Sequence, residues 1–463
     1  MNDPVVDDRL STGSAQADEI LGGGFPKNSI NIIMGQPGTG KTVFAEHLAF
    51  HNADGDRPVL YLTTLSEPLA KIIKYLQGFA FYDESRMGTA ILYEDLGSQL
   101  SQGGVKALLP IVSDAIRTLA PKIIIIDSFK ALHDLSPSII EMRQMLYELT
   151  GMLSAYATTV FFVGEYTEEH SRNLPEFAVA DAIIQMMRTT QSTRDERFLR
   201  VLKLRGSGYM EGLHAFKITP AGLDVYPRLV TPEIPTTYRL NIERIPSGIE
   251  GLDRLMGGGI RTGSTTLLAG PTGSGKTTIG LQFALEALTE RVPALFINFQ
   301  ENPTLLQQSI RSMRVQIQDL EAAGLKFMYA SPVELQIDSL IVSLFRRIRD
   351  EKIQRVVIDS ISDLVTVASD RERVHDYLYS LIQHLTVNGV TSVLAYETAS
   401  GLAASGVGVP GDRISFMADN VVLLSMDMKD KIKRTLAVVK ARGSAHDLNI
   451  HPIEIGVTGV RVL

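Results

Sequence analysis

The sequence predicts an α/β protein made of two tandem domains, each a mostly parallel sheet flanked by helices. Three observations support this prediction. A chain of 463 residues is too long for one ordinary hydrophobic core. One motif-bearing segment occurs twice, and short apolar runs alternate with helical patterns in both halves. Continuous apolar strands between helices are typical of a parallel sheet that is covered on both faces.

The repeat has a fixed offset of 235 residues, which is the separation of Lys41 from Lys276. Residues 12–42 correspond to residues 247–277 without a gap, and both segments contain a run of three glycines before the lysine. Two unrelated domains would not stay in phase over such a stretch. The sequence therefore indicates a duplication of a whole domain rather than a short solenoid repeat.

A proline-rich segment separates the two halves. Residues 226–237 contain Pro227, Pro232 and Pro235 and show little hydrophobic periodicity. Because proline fixes φ and removes a hydrogen-bond donor, this segment is predicted to be an extended linker. The predicted domains are residues 1–231 and residues 232–463.

Strand and helix patterns follow one another in the same order in both halves. The first half has predicted strands at 29–34, 59–63, 122–126 and 160–164, predicted helices at 42–50, 139–155 and from about Glu67, and further β pattern up to Ile218. The second half has predicted strands at 265–268, 294–298, 355–358 and 392–395.

Each repeat contains the pattern G-x-x-x-x-G-K-[ST] between a predicted strand and a predicted helix, which is the context of a P-loop. Glycines let the backbone curl so that its N–H groups point at phosphates, and the helix N-terminus adds partial positive charge. The alternative is a glycine-rich turn that fits by chance, and two matches in phase argue against it. The predicted nucleotide-binding residues are Gly35, Gly38, Thr39, Gly40, Lys41 and Thr42, and Gly270, Thr272, Gly273, Ser274, Gly275, Lys276 and Thr277.

Each P-loop is predicted to bind its nucleotide together with a magnesium ion. The hydroxyls of Thr42 and Thr277 are predicted ligands. Asp127 and Asp359 each end an apolar run, as in a Walker B strand, and follow the P-loop lysines at similar distances. A buried Asp at a strand end is costly unless a cation or hydrogen bonds compensate it. The alternative is an Asp that begins a turn, and the matched spacing favours the metal role.

Hydrolysis also requires a base that orients water, and Glu67 and Glu301 are the predicted candidates. Each follows the strand that comes after the P-loop helix. The alternative is that each Glu lies in a first helical turn, where the helix dipole alone favours it. The similar placement in both halves favours catalysis.

A basic motif recurs late in each half, as Lys203-Leu204-Arg205-Gly206-Ser207 and Lys440-Ala441-Arg442-Gly443-Ser444. Lys and Arg at positions i and i+2 share one face of a strand, and such residues stabilise the charge on a γ-phosphate in the transition state. A basic strand edge that discourages aggregation is the alternative. The duplication favours a functional role.

The order of these motifs resembles the RecA-like ATPases, and specifically the KaiC family of circadian-clock proteins, over almost the whole chain. The resemblance implies two RecA-like P-loop domains that bind ATP and Mg²⁺. It further implies a two-tiered homohexamer with ATP between subunits, so that Lys203, Arg205, Lys440 and Arg442 act on the neighbour's nucleotide. A KaiB-like partner is also implied.

The sequence departs from the family pattern at three places. The family has two adjacent acids where this chain has Ser66-Glu67 and Gln300-Glu301. Ser415 matches the first of two phosphoacceptors in the second domain, whereas Phe416 replaces the other. The chain ends at Leu463, so the C-terminal extension that contacts KaiA is not expected, and neither is a KaiA-type partner.

Composition narrows the remaining function classes. Net charge is −7 and cysteine is absent, so a broad nucleic-acid surface and cysteine-ligated zinc are not expected. The N-terminus lacks a signal-peptide pattern and no apolar run could span a bilayer, which predicts a cytoplasmic protein without a membrane role.

The leading hypothesis is therefore a hexameric, ATP-hydrolysing switch, with autophosphorylation on Ser415 in the second domain as a separate hypothesis. Two alternatives stay open. A RecA-type DNA-dependent ATPase would need basic loops, for which the runs at 346–349 and 429–434 are candidates. A nucleotide-gated scaffold with negligible turnover would need only the binding residues.

Overall fold

The chain divides into two compact units, Met1–Arg228 and Leu229–Leu463. A computed structural model describes residues 9–64, 69–136, 138–191, 194–236, 241–313, 319–367, 371–398, 412–427 and 431–463. No helix in these ranges is both long and apolar enough to cross a membrane.

The first unit alternates strands and helices up to Val179 and then continues as strands. Its strands are β1 (Arg9–Leu10), β2 (Phe25–Pro26), β3 (Ile30–Gly35), β4 (Val59–Thr63), β5 (Ile91–Asp95), β6 (Ile123–Asp127), β7 (Thr159–Gly164), β8 (Ala182–Gln191), β9 (Arg194–Leu204), β10 (His214–Thr219) and β11 (Gly222–Tyr226). Its α-helices are α1 (Ala15–Ile20), α2 (Lys41–Asn52), α3 (Leu69–Leu76), α4 (Gly97–Gly103), α5 (Leu108–Leu119), α6 (Ile139–Ser154), α7 (Glu168–Asn173) and α8 (Glu176–Val179), with short 3₁₀ helices at Glu84–Arg86, Val105–Ala107 and Phe129–Leu135.

The second unit follows the same plan. Its strands are β12 (Arg244–Ile245), β13 (Ile260–Arg261), β14 (Thr265–Gly270), β15 (Ala294–Asn298), β16 (Leu325–Tyr329), β17 (Arg355–Asp359), β18 (Thr391–Glu397), β19 (Asn420–Asp427), β20 (Lys433–Ala441), β21 (His451–Gly456) and β22 (Gly459–Val462). Its α-helices are α9 (Glu250–Leu255), α10 (Lys276–Thr289), α11 (Pro303–Ser312), α12 (Ile337–Asp350), α13 (Ile361–Val367), α14 (Arg371–Val387) and α15 (Asp412–Met417), with a 3₁₀ turn at Pro332–Glu334.

The main sheets of the two units have the same strand order. In the first unit the order is β5-β4-β6-β7-β3-β8-β9-β10-β11, and in the second it is β16-β15-β17-β18-β14-β19-β20-β21-β22. The ladders from β5 to β8 and from β16 to β19 are parallel, and the remaining three strands of each sheet are antiparallel. The predicted α/β fold with two tandem, mostly parallel sheets is confirmed.

Helices cover both faces of each sheet, which explains the apolar strands in the sequence. Ile123 and Ile125 of β6 pack into one hydrophobic cluster of the first unit, whereas Ile124 and Ile126 pack into the other. Because successive side chains of a strand point to opposite faces, a strand buried on both sides needs four apolar residues in a row. The strand then ends at the carboxylate of Asp127.

A close approach between strands accounts for the first glycine of each P-loop. A Cβ atom on Gly35 would lie 2.2 Å from the carbonyl oxygen of Met186 in β8. On Gly270 it would lie 2.8 Å from the carbonyl oxygen of Leu424 in β19. A side chain at either position would push the central strand away from its neighbour, so both positions require glycine.

The first unit contains a buried acid that the second unit lacks. Glu46 of α2 is fully buried, and its Oε2 accepts a hydrogen bond of 2.6 Å from the hydroxyl of Tyr93. Burial raises the pKa of Glu46 to about 8, with the nearby Asp127 adding a smaller upward effect. Leu281 occupies the equivalent position of α10, five residues after Lys276. The polar layer beneath the first P-loop is therefore specific to that unit.

This acid predicts a pH dependence of stability. Its folded pKa of about 8 lies above the reference value of 4.5, so the folded protein holds a proton that the unfolded chain releases. The stabilising contribution is complete below the unfolded pKa and is lost as pH rises towards the folded pKa, by at most about 1.4 kcal/mol per pH unit. Urea unfolding midpoints of wild type and Glu46→Gln, compared between about pH 5 and pH 8, measure this difference.

We expect the stability of wild type relative to Glu46→Gln to fall steadily over that pH range. Glu19→Gln removes an exposed carboxyl on α1 and serves as the control, since it should leave the pH dependence of wild type in place. A wild-type advantage that does not change with pH would show that Glu46 has no raised pKa.

Candidate nucleotide-binding sites

Each P-loop follows the central strand of its sheet. The strand β3 lies between β7 and β8, and β14 lies between β18 and β19. Ligands of open α/β sheets bind at the carboxyl ends of such strands. Gly40 and Gly275 directly precede α2 and α10 and have φ values of 101° and 105°, a conformation that favours glycine. The loop thus turns sharply and aims a helix N-terminus at the end of the strand.

The two P-loop lysines are held by carbonyl groups of the loop. Lys41 Nζ donates to the carbonyl oxygen of Gln36 at 3.0 Å. Lys276 Nζ donates to Gly270 and Pro271 at 2.9 Å each. Burial lowers the pKa of both lysines, and nearby carboxylates oppose that effect. A buried ammonium group in a cup of backbone dipoles is suited to an anionic ligand such as a phosphate chain.

The predicted magnesium ligands meet in both units. The hydroxyl of Thr42 donates to Asp127 Oδ2 at 2.9 Å, and Thr277 hydrogen-bonds Asp359 in the same way. Burial raises the pKa of Asp359, which is 7 % exposed. One hydroxyl and one carboxylate form a donor set that suits Mg²⁺, which keeps several waters and binds substrate phosphates. No cluster of three metal-binding side chains occurs in the described part of the chain.

The second unit has a cavity of about 250 Å³ at its P-loop. Its walls include Lys276, Thr277, Glu301, Asp359 and Glu397. The P-loop hydroxyl of Ser274 is buried and has no hydrogen-bond partner among the described residues. The structure thus brings the predicted phosphate-binding lysine, both predicted magnesium ligands and the predicted base to one cavity.

Glu301 is positioned by its neighbours in the turn after β15. The side chain of Asn298 accepts hydrogen bonds from the backbone N–H groups of Gln300 at 2.8 Å and Glu301 at 2.6 Å. Asn302 is the N-cap of α11, so Glu301 precedes the helix rather than lying in its first turn. The helix dipole therefore explains an acid at position 301 less well than it would explain an acid in the first helical turn, which was the alternative left open by the sequence.

The side chain of Gln300 contacts a nearby acid. The amide of Gln300 donates to both carboxylate oxygens of Asp363, at 3.2 and 3.3 Å.

Glu67 and Ser66 lie outside the described residues. The preceding strands end at Thr63 and Asn298, so Glu67 follows its strand by four residues and Glu301 by three. The two acids are thus not at identical positions of the repeat.

Two acids beside the P-loops were not predicted from the sequence. Glu397 ends β18, and its Oε1 accepts a hydrogen bond from the hydroxyl of Thr272 in the P-loop. Glu165 directly follows β7, the corresponding strand of the first unit, and its charge acts on Lys41. An acid at the end of the strand next to the P-loop strand is a sequence signal, but only the strand order identifies that neighbour.

Each basic motif begins on a bulged strand and continues beyond it. Lys203 and Lys440 lie in β9 and β20, but the strands end at Leu204 and Ala441, so the prediction that Arg205 and Arg442 share a strand face with the lysines is wrong. β9 has a bulge between Val201 and Lys203, which pair with Ile184 and Ile183 of β8. β20 has one between Val438 and Lys440, which pair with Val422 and Val421 of β19. These bulges directly precede Lys203 and Lys440 in the ladders. Since bulges redirect side chains, the same local distortion sets the direction of the basic residues in both units.

The basic side chains contact the segment before β8 or β19 of their own unit. Lys203 donates to Phe177 O at 3.3 Å, and Arg205 forms an ion pair with Asp181. Lys440 donates to the carbonyl oxygens of Ser415, Phe416 and Ala418, and Arg442 also donates to Phe416. The side chains of Arg205 and Arg442 are 57 % and 54 % exposed. Neither Lys440 nor Arg442 lines the cavity of its own P-loop.

Ser415 lies on the short helix α15, where it is partly buried, next to Phe416, which is 72 % exposed. Its side chain does not line the cavity at the P-loop of its own unit. Its carbonyl group is bonded to Lys440. The structure therefore links the candidate phosphoacceptor to the basic motif rather than to the P-loop of the same chain.

The two basic runs proposed for DNA contact have other partners. In the run at 346–349, Arg347 bonds Glu351 and the carbonyl group of Phe327, and Ile348 is buried. The run at 429–434 is described from residue 431, and Arg434 donates to the carbonyl oxygen of Gly273 in the P-loop at 2.9 Å. The first run is part of an amphipathic helix, and the second reaches the candidate nucleotide site.

Comparison with known proteins agrees with this geometry. The family model described as "ATPase: KaiC" matches residues 10–230 and again residues 245–463. The circadian clock oscillator protein KaiC of Picosynechococcus is 26 % identical over 458 residues, covering 96 % of this chain and 87 % of that protein. KaiC 1 of Synechocystis is 25 % identical over 484 residues, covering 99 % and 92 %. KaiC of Prochlorococcus marinus subsp. pastoris is 27 % identical over 471 residues, covering 97 % and 89 %.

Proposed function

Because this chain belongs to the KaiC family of ATPases, we propose that it is an ATP-hydrolysing switch whose sites are completed by neighbouring subunits of a homohexamer. The placement of the basic motif carries this proposal. Arg442 is exposed and lies outside the cavity that holds Lys276, Asp359 and Glu301. A guanidinium that cannot serve its own site is available to the nucleotide of an adjacent subunit.

The residues of one site have separate tasks in this proposal. Lys276 and the backbone N–H groups at the start of α10 bind the β- and γ-phosphates, and Thr277 and Asp359 hold Mg²⁺. When bound, Mg²⁺ neutralises charge on the phosphate oxygens. Glu301 orients a water whose oxygen bonds to the γ-phosphorus as the bond to the bridging oxygen of ADP breaks. The Lys440 and Arg442 pair of the neighbour stabilises the charge on the transferred group. At the first site, Lys41 has the task of Lys276, Thr42 and Asp127 hold Mg²⁺, and Glu67 orients the water. Lys203 and Arg205 have the tasks of Lys440 and Arg442.

Autophosphorylation of Ser415 is a separate part of the proposal. Ser415 shares α15 with Phe416, and Lys440 of the same chain bonds the carbonyl groups of both residues. A neighbour's nucleotide that meets Lys440 and Arg442 would therefore also lie near Ser415. In the transfer, the Ser415 hydroxyl oxygen bonds to the γ-phosphorus as the bond to the ADP oxygen breaks, and the hydroxyl proton passes to solvent water because the amide of Gln300 cannot accept it. We therefore propose slow transfer, with a KaiB-like protein as a reader of the resulting state.

The assembly itself is the first expected outcome. Native mass spectrometry of the full chain with ATP and Mg²⁺ should show six chains and up to twelve bound nucleotides, because each chain has two P-loops. The same protein with the nucleotide removed is the control, and it should dissociate if nucleotide lies between subunits. A persistent monomer that binds nucleotide would contradict the hexamer.

Catalysis across the interface can be tested by mixing two inactive variants. In an Arg205→Ala background that removes the guanidinium of the first site, we expect Glu301→Gln and Arg442→Ala each to lower phosphate release about 100-fold or more. In mixed rings, the intact Glu301 of one chain meets the intact Arg442 of another at about a quarter of the interfaces. Phosphate release should therefore recover to about a quarter of the background rate.

Each variant mixed with itself is the control for this experiment. Absence of recovery in rings that native mass shows to be mixed would mean that Arg442 acts within its own chain or not at all. Bound nucleotide without phosphate release in the wild type would favour the nucleotide-gated scaffold instead.

Ser415 is tested by intact mass after incubation with ATP and Mg²⁺. We expect one added phosphate per chain in the wild type and none in Ser415→Ala. Ser425→Ala, which removes a serine from β19 of the same unit, is the matched control and should keep the phosphate. A wild type that gains no mass, or a Ser415→Ala variant that does, would overturn the assignment.

A further inference from the structure

The candidate magnesium ligand of the first site has a hydrogen-bond donor that was not predicted. The hydroxyl of Tyr61 in β4 donates to Asp127 Oδ2 at 3.0 Å. The same oxygen accepts the hydroxyl of Thr42 at 2.9 Å. Tyr61 has no solvent-exposed surface, so its hydroxyl approaches the carboxylate from the interior of the sheet. Two hydroxyls from different elements thus set the orientation of one carboxylate.

Tyr61 is itself held by the buried layer beneath the P-loop. Its ring stacks on Tyr93 of the adjacent strand β5, with ring centres 5.1 Å apart and an angle of 28° between the rings. The hydroxyl of Tyr93 is bonded to Glu46, which is also fully buried. Since Tyr61 and Glu46 are fully buried and the partly buried Tyr93 packs against the same core, the Tyr61 hydroxyl has little freedom to leave Asp127.

The second site is built on the same elements without this donor. Phe296 stands in β15 where Tyr61 stands in β4, because β15 and β4 occupy the same place in the strand order and their pairing registers match. Phe327 pairs with Phe296 as Tyr93 pairs with Tyr61. Neither phenylalanine carries a hydroxyl, so these two positions of β15 and β16 offer no such donor to Asp359. Thr277 is the hydroxyl that hydrogen-bonds Asp359.

We propose that Tyr61 is a positioning residue which holds Asp127 for Mg²⁺ at the first nucleotide site and which the second site lacks. This inference rests on the proposed function, since it assigns a role at the same ATP sites. Groups that hydrogen-bond a ligating carboxylate fix its orientation, and their loss typically weakens metal binding by about 10- to 100-fold. Tyr61 therefore makes the two sites unequal in their need for Mg²⁺.

The test measures nucleotide binding rather than turnover. In the full chain with Lys276→Ala, which disables the second P-loop, binding of a fluorescent ATP analogue to the first site is titrated with Mg²⁺. We expect Tyr61→Phe to raise the Mg²⁺ concentration at half-maximal binding about 10-fold or more. Affinity for the analogue in excess EDTA should stay unchanged. A merely structural role would instead weaken binding equally with and without Mg²⁺.

Two matched variants control for the loss of a buried hydroxyl. Tyr226→Phe removes the hydroxyl of another buried tyrosine, which donates to Asp224 on the edge strand β11 of the same sheet, so the Mg²⁺ midpoint should stay at its original value. Tyr61→Phe combined with Lys41→Ala leaves only the second site, whose Mg²⁺ curve should also be unchanged. A shift in either control would mean that the effect does not pass through Asp127 and would overturn the proposal.

The result also separates this inference from the function on which it rests. If the Lys276→Ala chain binds the analogue in a Mg²⁺-dependent way and Tyr61→Phe leaves the midpoint unchanged, the positioning role fails while the ATP site stands. If the wild-type chain binds no ATP analogue at any Mg²⁺ concentration, the proposed function fails, and this inference fails with it.

Discussion

The structure of each unit depends on one constraint, which is the close approach of backbone at the end of the central strand. Gly35 and Gly270 allow β3 and β14 to contact the next strand without a side chain between them. Gly40 and Gly275 have positive φ and turn the chain into the helix that follows. This geometry places the lysine, the helix N-terminus and the hydroxyl of Thr42 or Thr277 around one point. The rest of the parallel sheet brings the carboxylates to that point.

The duplication has kept this geometry and changed what lies beneath it. Both units have the same strand order and the same bulge before the basic motif. In the first unit, Glu46, Tyr93 and Tyr61 form a hydrogen-bonded and stacked layer that reaches Asp127. The second has apolar side chains at these positions, and its polar contacts lie at the mouth of the site, where Gln300 bonds Asp363. The residues proposed to hold Mg²⁺ are therefore alike in the two units, whereas the side chains that surround these residues differ.

The basic motifs contact short segments of their own unit, just before β8 or β19. Lys440 bonds three carbonyl groups around α15, and this arrangement joins the residue proposed to act on a neighbour's nucleotide to the helix that carries Ser415. Lys203 makes the corresponding contacts with Phe177 and Ala178, where the sequence offers no hydroxyl. The lysines of the two motifs thus contact segments of different chemistry in the two units.

The sequence by itself determined the α/β class, the duplication and the P-loop residues, because these depend on local patterns of glycine, lysine and apolar residues. It also indicated Asp127 and Asp359, since an apolar run that ends in an acid is a local signal. Only the tertiary structure decided which strands are neighbours. Tyr61 of β4 bonds Asp127 of the neighbouring strand β6, which lies 66 residues away in sequence. Glu397 bonds a P-loop threonine that lies 125 residues away. Such contacts follow from the strand order of a parallel sheet, which no local pattern specifies.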